Sequence, residues 1–515
     1  MTDLFPLPSR RAVMLGAASL AAAAPFAPVA AQAVRPGRLR VAILADMTNF
    51  DPMSFSAVNF PIIKNLYDSL IEYTPEGRAV PSLATAWSIA PDNKSVTITL
   101  RQGVRFHSGT TMNAAAVAAT LEKAAHPQRG RNVYPTMAFV QDWTVVDDNT
   151  VRLNFKVGAP ERQITDLLQF MPVLDPAGIE GIDAKPAGAG PYVLAERVVG
   201  QRIRMTANPN YWRANEPLSP ELILSIFDND AAATAALESG AVDIVYGGSG
   251  RTAARLRTQG YNVLQGPGPL VQVFRINSTR GPFRNAKFRQ AFNHLMDRAA
   301  ILRVGYAGLG EVTALPFVPA SPAFDASYNA RFAFDIEKGR ALLRESGLSA
   351  AAMNDWKLLT NGGDEPSTLI SQIVQSSLKR AGIDIQLDLK QGAEFVDALL
   401  TGKFDAVFGG VGNVQKFPSR LATNSIYRTS NNPVLGEPHP HPEYVEAIRR
   451  VETTLGPAEA VKAAYDNLNK VLVETAFGIP TNTYPYGLLV TAKNVAGVTH
   501  DIDNMLVART LGFTG

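Results

Sequence analysis

One phrase is written twice in this chain. ALESGAVDIVYGG begins at Ala236 and ALLTGKFDAVFGG at Ala398, sharing their Ala, Leu, Gly, Asp and Val positions and the closing Gly-Gly. Each reads as the end of a helix, a glycine suited to a left-handed C-terminal cap, and a buried strand that ends in paired glycines. Ser367 is expected to cap TLISQIVQSSLKRA, which stops at Gly382. IDIQLDL then alternates as a strand, and AEFVDALL stops at Gly402 before FDAVF. Strands spaced by single helices build parallel α/β layers, so a chain that carries the unit twice is constrained to two such layers. The carboxyl ends of such strands open onto a ligand crevice, and Gly-Gly there lets a ligand approach the backbone. Two units, one per lobe, would face each other across a cleft.

Ahead of the first copy the pattern differs. WSIAPDNKSVTITL alternates about a Pro-Asp-Asn turn, DWTVVDDNTVRLNF alternates about Asp147-Asp148-Asn149, and between them Asn113 caps the Ala-rich helix AAAVAATLEKA. Residues 71–184 therefore read as a mostly antiparallel α+β unit. A length of 515 residues calls for two or three domains. A net charge of only +3 argues against a nucleic-acid partner.

The N-terminus reads as an address. Ser9-Arg10-Arg11 precedes the weakly apolar run AVMLGAASLAAAAPFAPVA and then Ala31-Gln32-Ala33. This is the pattern of a twin-arginine signal peptide over residues 1–33, with the mature chain starting near Val34 in the periplasm. The chain has no Cys, which excludes disulfides, Cys-ligated zinc and a lipidated Cys anchor.

Four stretches carry a family resemblance: NLYDSLIEYTPEGRAVPSLATAWSIAPDNKSVTITLRQGVRFHSGTTMNAAAV, GAGPYVLAERVVGQRIRMTANPNYW, FRNAKFRQAFNHLMDRAAIL and FDIEKGRALLRESGL. In this order they resemble solute-binding protein family 5, the extracytoplasmic dipeptide, oligopeptide and nickel-binding proteins of ABC importers. The resemblance implies an α/β, two-lobed periplasmic binding protein (type II, cluster C) with an extra inserted α+β domain. Lobe I would comprise 34–70, 185–274 and 483–515, the inserted domain 71–184 and lobe II 275–482. The crossing strands fall near Phe274-Arg275-Ile276-Asn277 and Ile479-Pro480-Thr481-Asn482. The resemblance further implies a monomer without cofactor, whose partners are a small-molecule or peptide ligand and the permease subunits of an inner-membrane ABC transporter. A metal chelate or an opine-like acid is the alternative ligand.

Within the family's own motif the chain departs. Peptide-binding relatives follow the second Gly-Gly with a pattern of the type W-G-x-D-Y-x-D-P, whose first acid pairs with a peptide's amino terminus. Here Gly409-Gly410 is followed by VGNVQKFP, with Val411 at the Trp position, Val414 and Phe417 at the two Asp positions and Gln415 at the Tyr position. Cations replace the carboxylate: Lys416, Arg420 and Arg428. Arg presents a planar donor fork suited to carboxylate or phosphate, so an acidic group on the ligand is expected.

Residues expected to line the cleft are Thr48 and Asn49 after the first strand, Tyr246, Gly247, Gly248 and Ser249, Asn413, Gln415, Arg420, and Tyr484 and Tyr486 near the return hinge. No metal site is expected, although His439 and His441 in Pro438-His439-Pro440-His441-Pro442 could reach one ion. An exported enzyme is the competing class. HExxH, GxSxG and GxxxxGK[ST] are all missing, and Gly247-Gly248-Ser249-Gly250 fails the serine-elbow spacing at Arg251.

Overall fold

The computed structural model describes residues 36–54, 56–266, 268, 270–484 and 487–514. The expected signal peptide and Tyr486 lie outside the described residues. Among the described residues no helix is long and apolar enough to cross a membrane.

Two mixed sheets form the lobes. The first has seven strands in the order Asn262–Leu264, Leu489–Thr491, Ile244–Tyr246, Leu39–Ile43, Glu221–Ile226, Arg202–Ala207 and Tyr192–Val198. The second has five: Gln386–Lys390, Lys357–Asn361, Ala406–Gly412, Leu270–Ile276 and Gly478–Thr483. The repeated phrase supplies one strand to each sheet, at the place where parallel pairing gives way to antiparallel. Ile244–Tyr246 runs parallel to Leu39–Ile43 and antiparallel to Leu489–Thr491. Ala406–Gly412 runs parallel to Lys357–Asn361 and antiparallel to Leu270–Ile276.

The inserted unit is a four-stranded antiparallel sheet, Ala84–Ile89, Ser95–Leu100, Thr150–Phe155 and Val140–Asp147 in spatial order. The helix Ala114–Ala125 packs on it, capped by the Asn113 side chain, which accepts from the Ala116 N–H. Leu39, Val41, Leu222 and Ile244 of the seven-stranded sheet share one continuous apolar core with Val96, Ile98, Val151 and Leu153 of the insert. The five-stranded sheet buries both faces, in keeping with period-2 alternation: Val273, Val407 and Val411 face one core, and Phe274, Ile276, Ala406 and Phe408 the other. The insert and first lobe share one core, and the second lobe's core is reached across the seam by Tyr73 and Ile502.

Several expectations are corrected. Asp364, not Ser367, caps the helix Glu365–Arg380, accepting from the Ser367 N–H at 3.0 Å. Aspartate is the stronger anion for a helix N-terminus, and Ser367 sits inside the first turn. The stretches around Phe274 and Ile479 are not crossings. Leu270–Ile276 pairs with both its neighbours inside the five-stranded sheet, and Gly478–Thr483 is its edge. The passages between sheets fall before Leu270 and after Thr483, so a boundary at 274/275 would cut a strand.

The two Gly-Gly pairs also differ. Gly247 sits in a loop at φ +82°, with its N–H on the Leu488 carbonyl at 2.8 Å. Gly409 and Gly410 instead lie within a strand, opposite Val273 and Gln272. There the missing side chain makes room for Arg275: a Cβ on Gly409 would stand 3.3 Å from its Nε, and its guanidinium donates to the Gly410 carbonyl. The close approach to this backbone is made by a neighbouring strand's arginine.

Candidate functional site

Beyond Gly412 the chain leaves the sheet and turns into the seam between the lobes. Asn413 takes the left-handed conformation at φ +61°, which asparagine tolerates better than most residues. Its carbonyl accepts from the Lys416 N–H, closing a tight turn. Val414, Gln415, Lys416 and Phe417 are all buried, and Pro418 then opens the short 3-10 helix Pro418–Thr423 that carries Arg420.

This loop meets the helix Glu161–Phe170 of the inserted domain and the C-terminal segment around Asp503. Arg162 donates to the Gln415 carbonyl at 2.8 Å, and the Phe417 N–H donates to Asp166 at 2.5 Å. The Gln415 Nε2 reaches Asp503 at 2.5 Å, and Gln169 reaches the other oxygen of the same carboxylate at 2.9 Å. Lys416 donates to Gln169 and pairs with Asp503 at 3.1 Å, both side chains no more than 4% exposed. Asp166 also pairs with Arg162 at 3.1 Å and accepts from the Tyr73 hydroxyl at 2.9 Å. The loop is therefore held by polar contacts across the seam, with the Gln415 Oε1 left without a hydrogen-bond partner among the described residues.

Electrostatics follow this pairing. Burial pushes the Asp503 carboxyl up, but Lys416 and the amide donor of Gln169 outweigh it and hold the group below its ordinary range. Asp501 has Lys64 at 3.8 Å and accepts from the Met505 N–H at 2.7 Å, but burial with the charge of Asp503 outweighs these and pushes it up to about 6. Arg420 is the exception to the pairing. Among the described residues its guanidinium makes no hydrogen bond and no ion pair. Burial lowers its pKa, and the charge of Asp166 pushes it back up.

Arg420 stands between two cavities. A small one of about 40 Å³ is lined by Asn132, Thr136, Asp166, Phe170, Asn413, Lys416 and Arg420, which is room for a water or one small polar group. A groove of about 470 Å³ shares Thr136 and Arg420 with it and runs on between Phe139, Val157 and Phe417. Both cavities take walls from the insert and from the second lobe, as a hinge-closing site requires.

Of the residues expected in the cleft, Asn413 and Arg420 line the small cavity. Gln415 is wholly buried and builds the loop that carries them. Thr48 and Asn49 fix their own loop instead. The Thr48 N–H goes to Asn59 at 3.0 Å, and Asn49 accepts from the Ser54 hydroxyl at 2.9 Å. The Ser54 carbonyl in turn accepts from the Asn132 amide, so this loop supports the cavity from behind. Tyr246 is 5% exposed with its hydroxyl on the Asn504 carbonyl at 2.9 Å, which removes it from any ligand. Gly248 packs against Asp230, and Ser249 caps the helix Gly250–Thr258 while donating to Asp230 at 2.7 Å. Tyr484 packs edge-on against Tyr306, with ring centroids 5.6 Å apart.

The three cations separate. Lys416 lines the small cavity but is paired with Asp503, Arg428 is exposed and lines neither cavity, and Arg420 lines both. His439 and His441 are core residues: His441 stacks on Phe477 at 4.9 Å and bonds Ser278 at 2.8 Å, and the His441 N–H lies on the His439 ring nitrogen. Both rings are buried, and among the described residues no group of three or more His, Cys, Asp or Glu could hold a metal ion. Tyr211 and Trp212 close the turn after Pro209 over Asp68, which the indole N–H meets at 2.7 Å.

Asn132, Thr136, Asp166 and Phe170 were not anticipated. Their contacts join positions some 250 residues apart in the chain, and such pairing leaves no local trace. One signal was present: Arg162, Asp166 and Gln169 recur at helical spacing beside Ile164, Leu167 and Leu168, a polar stripe on a face that is otherwise apolar.

Comparison with known proteins agrees with this architecture. The family model described as bacterial extracellular solute-binding proteins, family 5 Middle, matches residues 78–432. The glutathione-binding protein GsiB of Salmonella typhi is 27% identical over 355 residues, 67% of this chain and 68% of the relative. Heme-binding protein A of Haemophilus influenzae is 25% identical over 402 residues, 72% of this chain and 73% of the relative. The crystal structure of an ABC transporter substrate-binding protein from Sinorhizobium meliloti superposes with a TM-score of 0.76 at 25% identity, covering 93% of this chain and 100% of that one.

Proposed function

The chain belongs to family 5 of the bacterial extracellular solute-binding proteins, and from that premise we propose that it captures a peptide-like solute through a carboxylate held by Arg420. The lobes close over the solute, and the closed form delivers it to the permease of an ABC importer. A ligand touching both walls of the seam favours closure by its differential affinity for the closed state. The observation that carries the proposal is the unpaired Arg420 guanidinium, beside a network in which Lys416, Arg162, Asp166 and Asp503 are mutually neutralised. A planar donor fork without an internal partner, in a partly desolvated site, selects a carboxylate. Glutathione, named for one relative, is a peptide with carboxylates at both ends and supports the same class.

The protein acts as a binder without turnover and as a monomer. Ser9-Arg10-Arg11 and Ala31-Gln32-Ala33 support export to the periplasm by the twin-arginine route. The metal-chelate alternative loses its candidate ligands, because His439 and His441 are packed against Phe477.

The test is calorimetric titration of glutathione and related small peptides into wild type and Arg420→Ala. Loss of the guanidinium is expected to raise Kd at least about tenfold for every carboxylate ligand that binds. Equal affinity in the two proteins would remove Arg420 from the site.

A further inference from the structure

The groove beside Arg420 differs in chemistry from the small cavity it adjoins. Its walls include Pro135, Phe139, Val157, Ala159, Phe417 and Ala422. Phe417 is buried in the second lobe, Phe139 is half-buried against Phe155, and Val157 is 63% exposed. Leu455, 36% exposed, stands at the same rim, where its side chain packs against Gly158. Exposed apolar side chains are common when scattered singly, but here they border a groove whose inner wall holds an unpaired cation.

Charge accounting narrows the occupant. Asp166 is matched by Arg162 and Lys416 by Asp503, which leaves one uncompensated positive charge at the junction of the two cavities. Lys156 and Glu452, both exposed and of opposite sign, lie on the outer part of the groove.

Resting on the assignment of a carboxylate to Arg420, we propose that the ligand is a monoanionic, amide-containing acid with an apolar body: the carboxylate sits on Arg420 and the apolar part lies in the groove along Val157, Phe139 and Phe417. Short acylated amino acids and peptides ending in large apolar residues are of this class. A polar body of the same length would leave Phe417 and Val157 facing unmatched groups.

The probes are N-acylglycines of increasing chain length, from acetyl to octanoyl, titrated calorimetrically into the full mature chain. Affinity is expected to rise about fourfold per methylene until the groove is filled. Val157→Asn, at an exposed side chain that carries little of the fold, should blunt that rise by about fivefold for the longest probe. Arg420→Met, checked for an unaltered melting temperature, should abolish binding of the whole series. A series that binds wild type through Arg420 with no dependence on chain length overturns the apolar-body proposal and leaves the carboxylate assignment standing. A series that fails to bind, or that binds Arg420→Met as well as wild type, overturns both.

Discussion

Replacing Lys416 by Met would place the largest single strain on the closed form. The substitution keeps the apolar bulk of the side chain but leaves the Asp503 carboxylate, 1% exposed, without its ammonium partner. Breaking a buried pair by removing one member costs about 3–5 kcal/mol. Asp503 keeps hydrogen bonds from Gln169 at 2.9 Å and Gln415 at 2.5 Å, which argues for the lower end. Because the pair joins the second lobe to the rest of the molecule, opening the hinge returns Asp503 to water and relieves the cost. The closed state should therefore lose about 3 kcal/mol relative to the open one, a factor of about 150 in their ratio.

The chain has no cysteine, so Val146→Cys on the insert and Leu400→Cys on the second lobe, both at exposed positions, accept a dye pair without background labelling. Energy transfer between them would report the lobe distance in solution. In wild type Asp503 is held below its ordinary range, so its contribution to closure is present at neutral pH and is lost only as pH falls through that depressed value. In Lys416→Met the buried carboxyl is raised instead, and acidification to about pH 5 should reclose the variant by neutralising it. Asp501 also feels the charges of Lys416 and Asp503, so the comparison is made in an Asp501→Asn background, which leaves Asp503 as the titrating group of the pair. A second change, Asp503→Leu, should restore closure at neutral pH. Unchanged transfer efficiency in Lys416→Met, or a defect that does not ease on acidification, would refute the account of the seam.

Two further outcomes are expected. Burial holds the His441 imidazole down to about 3, so the neutral ring stabilises the fold fully above the ordinary histidine value of 6.5, and that contribution is lost progressively as pH falls below it. Urea unfolding between about pH 6 and pH 4 should accordingly show a shallower loss of stability in His441→Phe than in wild type, by at most about 1.4 kcal/mol per pH unit; equal slopes would count against a buried neutral imidazole. Ser249→Ala should lower stability by about 1 kcal/mol through the lost helix cap and leave ligand affinity unchanged, whereas a loss of affinity in a stably folded variant would return Ser249 to the cleft.

Much of the fold was legible because it is locally encoded. Asn113, Asn285 and Asp297 cap the helices they precede, and Gly240, Gly382 and Gly402 stand at positive φ just past helix ends. The hairpins at Pro91-Asp92-Asn93 and Asp147-Asp148-Asn149 join the paired strands that their alternation announces. The candidate site was legible only in part. The departure from the family motif after Gly410 pointed to a loop that lines the small cavity, and Arg420, singled out for its planar fork, is among the lining residues. Strand-end reasoning misled at Tyr246 and Ser249, since a residue at the end of a strand can be claimed by its own lobe, as these are by Asn504 and Asp230.

Local chemistry determined where helices and strands begin and end, because caps, turns and hydrophobic period act over a few neighbouring residues. The repeated phrase likewise fixed two strands at matching places in two sheets, since periodicity and a glycine stop need no distant partner. Which charges are free was decided by the tertiary structure alone. Lys416 and Arg420 lie four positions apart and look alike in sequence, yet the fold brings Asp503 to one and a groove to the other. Pairing across the seam joins segments remote in the chain, and the energy of a buried charge depends on what folding sets beside it.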